Sequence, residues 1–328
     1  MSKYLIINGD DFGMNEAVNR GIVEAHAAGT LSSTSLLVNM AAFKQAIQLA
    51  RQLPTLGVGL HFNLTEGMSI SSAEQIPSLV YTDGLFSGNR KQWVNKEIEC
   101  ELSNQYNKMV SAGIQPTHID THHHIHMEMP MVYIVMKRFA QRLNIPLRLN
   151  LKLKRIINQS SSTEHLILDT YGKPDGITRM LSHLEEIQSG TTEIMTHPGY
   201  PEKPVKSLKP EQDWRSNEFL VLTNDLINDA IREHGIQLIH YGQLAKVRVD
   251  HQEKVMEEDP IKIIDIPLVE DSVQYKDLST EDGIGQNIIY TRVSHKKTRY
   301  RNKKRKRIKK NKNVRRKRNS RVGHSKRR

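Results

Sequence analysis

One cysteine in 328 residues, Cys100, excludes any disulfide within the chain. No apolar run approaches the roughly 20 residues that cross a bilayer, and the mean hydropathy of -0.55 agrees. The opening Met-Ser-Lys-Tyr-Leu-Ile-Ile-Asn reaches the carboxylates of Asp10 and Asp11 too soon for a signal peptide, so a cytoplasmic protein is expected. There is no glycine-rich phosphate fingerprint and no internal repeat. The final segment lacks acid altogether: residues 296–328 hold 20 Lys and Arg and no Asp or Glu.

That imbalance makes the formal net charge of +12 a poor average. Positions 1–295 hold 28 basic and 36 acidic residues, so an acidic body carries a basic tail. Residues 250–282 contain 11 acidic and 3 basic side chains, interrupted by Pro260 and Pro267. The expected division is a folded body at 1–244, an acidic linker at 245–295 and a disordered polybasic tail at 296–328. Such a tail binds polyanions through counterion release without sequence preference. Nucleic acid, an anionic wall or spore polymer and the chain's own acidic linker are the candidate partners, and a solvated tail with no single partner is the alternative. With Tyr300 as its only aromatic residue, the tail offers no base-stacking platform.

Within the body, short apolar runs alternate with helical periodicities. Tyr4–Asn8 reads as a strand, and Asn15 caps a helix that carries Val18, Ile22 and Ala25 and stops at Gly29. Phe43, Ile47 and Ala50 form a second helical face before the strand 57–60. Trp93, Ile98, Leu102, Tyr106 and Met109 form a third, closed by Gly113. A strand at Thr117–Asp120, a helix from Pro130 to Ala140, and strands at 147–149 and 193–196 follow. A helix through Leu226, Ala230 and Ile231 and a strand at Ile236–His240 complete the pattern, whereas 151–190, with Asp169 and His183, is uninformative. Repeated βα units predict an α/β fold with a parallel sheet. Asp10 and Asp11, His61, residues 118–126, Arg148 and His197 all fall at strand carboxyl ends, the arrangement of a (β/α) barrel rather than of a doubly wound sheet.

The densest chemistry is His118-Ile-Asp-Thr-His-His-His-Ile-His126, five histidines and an aspartate in nine residues. Imidazole is the commonest protein metal ligand, and a neighbouring carboxylate completes or orients such a site. Asp10-Asp11 can serve one site only if the chain turns there, which Gly9 and Gly13 favour; a turn leading to an acidic helix start is the other reading. Asp11, His61 and His122 would supply three mixed oxygen and nitrogen ligands, leaving positions open for water, as catalytic metal sites do. Asp10 would then be the base, and His197, in Thr-His-Pro-Gly, either the acid for a departing amine or a turn histidine.

The segments Asn-Gly-Asp-Asp-Phe-Gly (8–13), Gly-Leu-His-Phe-Asn-Leu-Thr (59–65), Pro-Thr-His-Ile-Asp-Thr-His-His-His-Ile-His (116–126) and Thr-His-Pro-Gly (196–199) resemble the motifs of the YdjC-like carbohydrate deacetylases, which include chitin disaccharide deacetylases. The resemblance covers 1 to about 244. It implies a distorted (β/α) barrel of TIM type, a divalent metal such as magnesium or zinc, and removal of an acetyl group from an N-acetylglucosamine unit during chitin degradation. It also implies Asp11, His61 and His122 as metal ligands, Asp10 as base, His197 as acid, and Arg148 as the partner that keeps Asp10 ionised. Asp120 and His118 read as supporting residues, and His123, His124 and His126 have no assigned role. The expected partners are an N-acetylated oligosaccharide and, for the tail, a polyanion; the sequence allows a homodimer. Two rivals differ in class. A metal-dependent phosphoesterase would open with His-x-His where Asp10-Asp11 stands, and a structural polyanion binder would act through 296–328 alone.

Overall fold

A computed structural model describes residues 2–201 and 214–248. The expected acidic linker beyond 248 and the basic tail at 296–328 lie outside the described residues. Among the described residues, seven strands run parallel: β1 (Lys3–Phe12), β2 (Ser33–Leu36), β3 (Gly57–Phe62), β4 (Ile119–Thr121), β5 (His165–Ile167), β6 (Gly190–Thr196) and β7 (Ile236–Leu238). Their order is β4-β3-β2-β1-β6-β5, with β7 also paired to β1. Helices α1 (Glu16–Ala27), α2 (Phe43–Gln52), α3 (Asn95–Ser111), α4 (Ile125–Glu128), α5 (Pro130–Leu143), α6 (Gly176–Glu186), α7 (Trp214–Leu222) and α8 (Asp225–Glu233) accompany them. The sheet curls into the distorted (β/α) barrel expected from the pattern. No helix among the described residues is long and apolar enough to cross a membrane.

Local chemistry sets the helix ends where the sequence placed them. The Asn15 side chain accepts from the Val18 amide at 2.8 Å and starts α1, a cap that satisfies one of the first-turn donors. Pro130 opens α5, where its missing N–H costs nothing. That helix ends on Asn144 in the left-handed region, φ 53°. Gly113, at φ 84°, follows α3.

The sheet forks at β1. Strand β6 pairs along Lys3–Gly9, so the opposite edge of β1 is shared by β7 over Lys3–Leu5 and by β2 from Asn8 onward. Ser32 fills the fork: its amide donates to the Ile7 carbonyl at 3.1 Å, and its hydroxyl donates to the Ile239 carbonyl at 2.6 Å. A hydroxyl at this place replaces ladder bonds that two diverging strands cannot make with each other.

Strand alternation divides the side chains into two layers. Leu5 and Ile7, Val58, Leu60 and Phe62, Ile119 and Ile194 join the main apolar core with the helices. The alternate positions of β1, Tyr4 and Ile6, pack with Ile239, Tyr241, Leu244 and Val247 in a second cluster. Continuing that alternation toward the strand ends gives Asn8 and Asp10 on β1, Gly59 and His61 on β3, His118 and Asp120 at β4, and Glu193 on β6, all buried. The inner layer is therefore apolar at one end and charged at the other.

Two local expectations change. Leu147 bridges Ile119 singly, so 147–149 is not a strand. Pro146 has no N–H to extend a ladder, and the Asn150 side chain turns the chain by accepting from the amides of Lys152 and Leu153 at 3.0 and 3.1 Å. Conversely β2, β5, α6 and α7 carry no expectation from periodicity.

A Cβ on Gly59 would lie 2.3 Å from the His118 ring. Gly59→Ala should cost about 1–3 kcal/mol through overpacking, read as a lower urea midpoint at unchanged m-value. An unchanged midpoint would show that the inner layer can expand there.

Candidate active site

The end of β1 is bent by a register shift between Gly9 and Phe12, with Asp11 at φ 73°. A non-glycine residue there is strained, and the bend turns both carboxylates toward the barrel mouth, as two adjacent acids in one site require. The Asp10 and Asp11 side chains are nonetheless held by different neighbours.

Asp10 is clamped from below. Arg148 Nη1 donates to its Oδ2 and Nη2 to its Oδ1, both at 2.7 Å. Oδ1 also accepts from Asn8 Nδ2 at 2.8 Å and lies 3.4 Å from Ser35 Oγ, leaving a lone pair on Oδ2. The guanidinium reaches two more acids. Nε donates to Glu193 Oε1 at 2.9 Å, and Nη1 lies 2.8 Å from Asp120 Oδ2 as an ion pair rather than an aligned hydrogen bond. The Tyr241 hydroxyl donates to Glu193 Oε2, and the Tyr241 ring stacks on His118, centroids 4.0 Å apart. Burial pushes the Asp10 carboxyl up, but the Arg148 charge, its hydrogen bonds and the His61 charge together outweigh it and leave the group below its usual range.

Asp11 faces the other way. Arg215, from α7, donates through Nη2 to Asp11 Oδ2 at 2.6 Å. Oδ1 is buried and has no hydrogen-bond partner; it lies 3.2 Å from His61 Nε2 and 3.8 Å from His122 Nε2. Burial pushes Asp11 up, yet the close approach of His61 Nε2 and the charges of His61, His197 and Arg215 hold it well below the carboxylate range.

Each of the two histidines is oriented through its far nitrogen. His61 Nδ1 contacts Asp120 Oδ1 at 2.7 Å, and His122 Nδ1 contacts Thr65 Oγ1 at 2.7 Å. A carboxylate on Nδ1–H fixes the tautomer that leaves the Nε2 lone pair for a ligand. Burial opposes charge on His61, but Asp120 and Asp11 raise its pKa to about 10. Carboxylates that hold a proton so firmly would equally hold a divalent cation in its place. His122 goes the opposite way, to about 3, because burial and His61 disfavour a second positive charge.

The structure thus brings together Asp11, His61 and His122, the three expected ligands, around an orphaned carboxylate oxygen. Ligands at about 2.1 Å from one ion stand roughly 3 Å apart when adjacent, close to the Asp11–His61 separation and shorter than that to His122. Among the described residues, the groups of three whose donor atoms all converge within 4.8 Å are different ones, Asp10, His61 and Asp120, and Glu66, His122 and His123; Asp11, His61 and His122 would have to draw closer together to share one ion. The first of the two converging groups is spanned by Arg148, which already neutralises its acids. In the second, the Glu66 side chain is half exposed, with Oε2 3.7 Å from His122 Nε2.

His197 follows β6, beside the end of β1. Its amide donates to Glu218 Oε2 at 2.5 Å, and its ring meets Trp214 edge to face, centroids 5.1 Å apart. The remaining histidines stand back from Asp11. His118 underlies Tyr241, His123 stacks on His122, and His126 Nδ1 bonds Thr121 Oγ1 at 2.6 Å. Burial lowers His118 and His126 to about 3 and His124 to about 4. Asp169 and His183 sit with Arg179 on the α6 side. Sequence reasoning missed Arg215, Glu218, Glu193, Tyr241 and Thr65. Of these, Thr65 lies inside a motif that marked the site; the others carry no local signal.

Against this geometry, the model of YdjC-like proteins matches residues 4–233. The chain belongs to the YdjC-like family. It is 38% identical over 253 residues to a Geobacillus stearothermophilus protein named carbohydrate deacetylase, covering 75% of this chain and all of that one. A Proteus mirabilis protein named chitooligosaccharide deacetylase is 35% identical over 257 residues, 74% of this chain and 100% of its own. Among solved structures, an Enterococcus faecalis protein titled a putative cellobiose-phosphate cleavage protein superposes with a TM-score of 0.67 at 29% identity. It covers 74% of this chain and 99% of its own.

Two measurements check the site. Wild-type protein should bind one divalent cation per chain by calorimetry; Asp120→Asn should weaken binding about 10–100-fold, and His61→Ala should abolish it. The metal-free protein should also lose stability from acid before its carboxylates titrate. His118 and His126 are neutral when folded, whereas unfolded histidine takes up protons below about pH 6.5. The unfolded state therefore binds more protons between that value and about 3, and the urea midpoint should fall steadily as pH drops through this window.

Proposed function

We propose that this YdjC-like protein is a metal-dependent carbohydrate deacetylase that hydrolyses the N-acetyl group of an N-acetylglucosamine-containing oligosaccharide of chitobiose type. One observation carries this reading. The unpartnered Asp11 Oδ1, facing His61 Nε2 and His122 Nε2, lies beside a second carboxylate, Asp10, whose Oδ2 keeps a free lone pair. The names of the relatives from Geobacillus and Proteus support the same substrate class.

Asp11, His61 and His122 would hold the cation, which when bound supplies Lewis acidity for the acetyl carbonyl and for water; their mixed oxygen and nitrogen set suits zinc, magnesium, manganese or cobalt. Asp10 Oδ2 takes the proton of the attacking water. Arg148 keeps Asp10 ionised and fixes the plane of its carboxylate, so the accepting lone pair points in one direction. His197, held through its backbone by Glu218 and through its ring by Trp214, returns a proton to the departing amine nitrogen. The products are acetate and a free amino sugar. The first strand carries Asp10-Asp11 and not the His-x-His of the rival phosphoesterase, and an intact donor set argues against a purely structural role.

The test is acetate release from diacetylchitobiose by chelated protein, with divalent metals returned singly. Release should require metal. Asp10→Asn should lower kcat by about 10²–10⁴-fold while the cation remains bound. Absence of release with every metal, or full activity in Asp10→Asn, would overturn the respective part of the assignment.

A further inference from the structure

Trp214 stands at the mouth of the site with 41% of its surface open to solvent. A single exposed indole is ordinary on a protein surface; what singles this one out is its place beside His197 and Arg215. Three contacts hold it. Its ring meets His197 at 5.1 Å, and the guanidinium of Arg215 lies 4.5 Å from its centroid. Its backbone packs so closely on Gly172 that a Cβ there would come within 2.7 Å of Trp214 Cβ. Arg215 is in turn fixed by Asp11 at 2.6 Å. The indole is therefore preorganised beside both the proposed proton donor and a proposed metal ligand, and little side-chain freedom remains to be lost on binding.

The chemistry of a partner follows from the surface. An indole is a broad apolar plane with a negative π face that receives polarised C–H bonds; with Arg215 over the ring, one face is left to do so. A β-linked pyranose turns its axial C–H bonds to one face while its hydroxyls point outward around the rim, so ring and indole match in shape and in polarity. We propose that Trp214 is a sugar-stacking platform that seats a pyranose ring of the substrate beside His197 and thereby selects β-linked amino sugars. This rests on the carbohydrate reading above. Because stacking forms with the bound sugar and persists through the reaction, it contributes equally to ground and transition states and should appear in KM.

The protein contains two tryptophans, and the other, Trp93, is 5% exposed. Both emit, so the part of the intrinsic emission that is lost in Trp214→Phe is the signal of Trp214. Titration of wild-type protein with chitobiose, the fully deacetylated disaccharide that has no acetyl group left to hydrolyse, should change the emission saturably. In Trp214→Phe the change should disappear. For acetate release from diacetylchitobiose, Trp214→Ala should raise KM about tenfold, equivalent to about 1.4 kcal/mol, and should also lower kcat because the ring that holds His197 is gone; Trp214→Phe, which keeps an aromatic ring there, should restore kcat and most of the KM. Acetate release with an unchanged KM in Trp214→Ala and no emission change in wild type would sink the platform while leaving the deacetylase standing. If no acetylated sugar is hydrolysed, the deacetylase reading fails, and the titration decides alone: a saturable response supports a sugar site at Trp214, and none overturns it. Should Trp214→Ala not fold, the wild-type and Trp214→Phe titrations still either support the platform or overturn it.

Discussion

The polar half of the barrel depends on one buried cation. Arg148 is 1% exposed and lies between Asp10, Asp120 and Glu193, all likewise buried. A lone charge in that position would be strongly unfavourable, and so would any of the three acids without it. Together they form one charge network in which the guanidinium fork hydrogen-bonds Asp10 and Glu193 and pairs with Asp120. Two consequences diverge from this network. Through Asp10 it fixes the proposed base; through Asp120, which bonds His61 Nδ1, it fixes a proposed metal ligand. Glu193 and Tyr241 carry the same network down toward the apolar end, where Tyr241 belongs to the cluster with Tyr4 and Ile6. The stability of the inner layer and the geometry of the site are one property.

This explains why part of the site was legible in the sequence. The inner-layer residues are polar at alternate positions of strands whose intervening positions are apolar, so Asn8, Asp10, His61, His118 and Asp120 stand out within short motifs. The bend at Asp11 was signalled by Gly9 and Gly13. Strand β2 was not legible for the opposite reason. Ser33, Thr34 and Ser35 are buried although polar, because their hydroxyls bond neighbouring strands: Thr34 Oγ1 donates to the Gly9 carbonyl at 2.5 Å, and Ser33 Oγ to that of Gly57 at 3.3 Å. A buried strand built from hydroxyls has no apolar period to detect.

The count of histidines in 118–126 overstates their shared chemistry. Backbone geometry separates them: His123 and His124 lie in the left-handed region, φ 55° and 50°, between the end of β4 and the start of α4. That tight reversal sends His122 toward Asp11, turns His126 back onto Thr121, and leaves His118 under Tyr241. One member of the run faces the orphaned oxygen, and the others support or line the wall. Strain in two consecutive non-glycine residues is sustained because stacking on His122 and bonding at Thr121 fix the loop from both sides.

The decisive long-range contribution comes from α7, which no motif foretold. Within five residues it presents Trp214 to His197, Arg215 to Asp11 and Glu218 to the amides of His197 and Tyr171. Residues three apart on a helix lie on one face, so Arg215 and Glu218 reach the ends of β1 and β6 together, and the helix joins the two strands that carry the proposed base, ligand and acid. Arg215 and Asp11 are 204 positions apart, beyond any local pattern. Asp11 shows what this achieves. With Oδ2 engaged by Arg215, the carboxylate cannot rotate, and Oδ1 is left aimed at two imidazole nitrogens without a donor of its own. A buried carboxylate oxygen kept unsatisfied costs stability, and the cation proposed for Asp11, His61 and His122 would supply the missing partner.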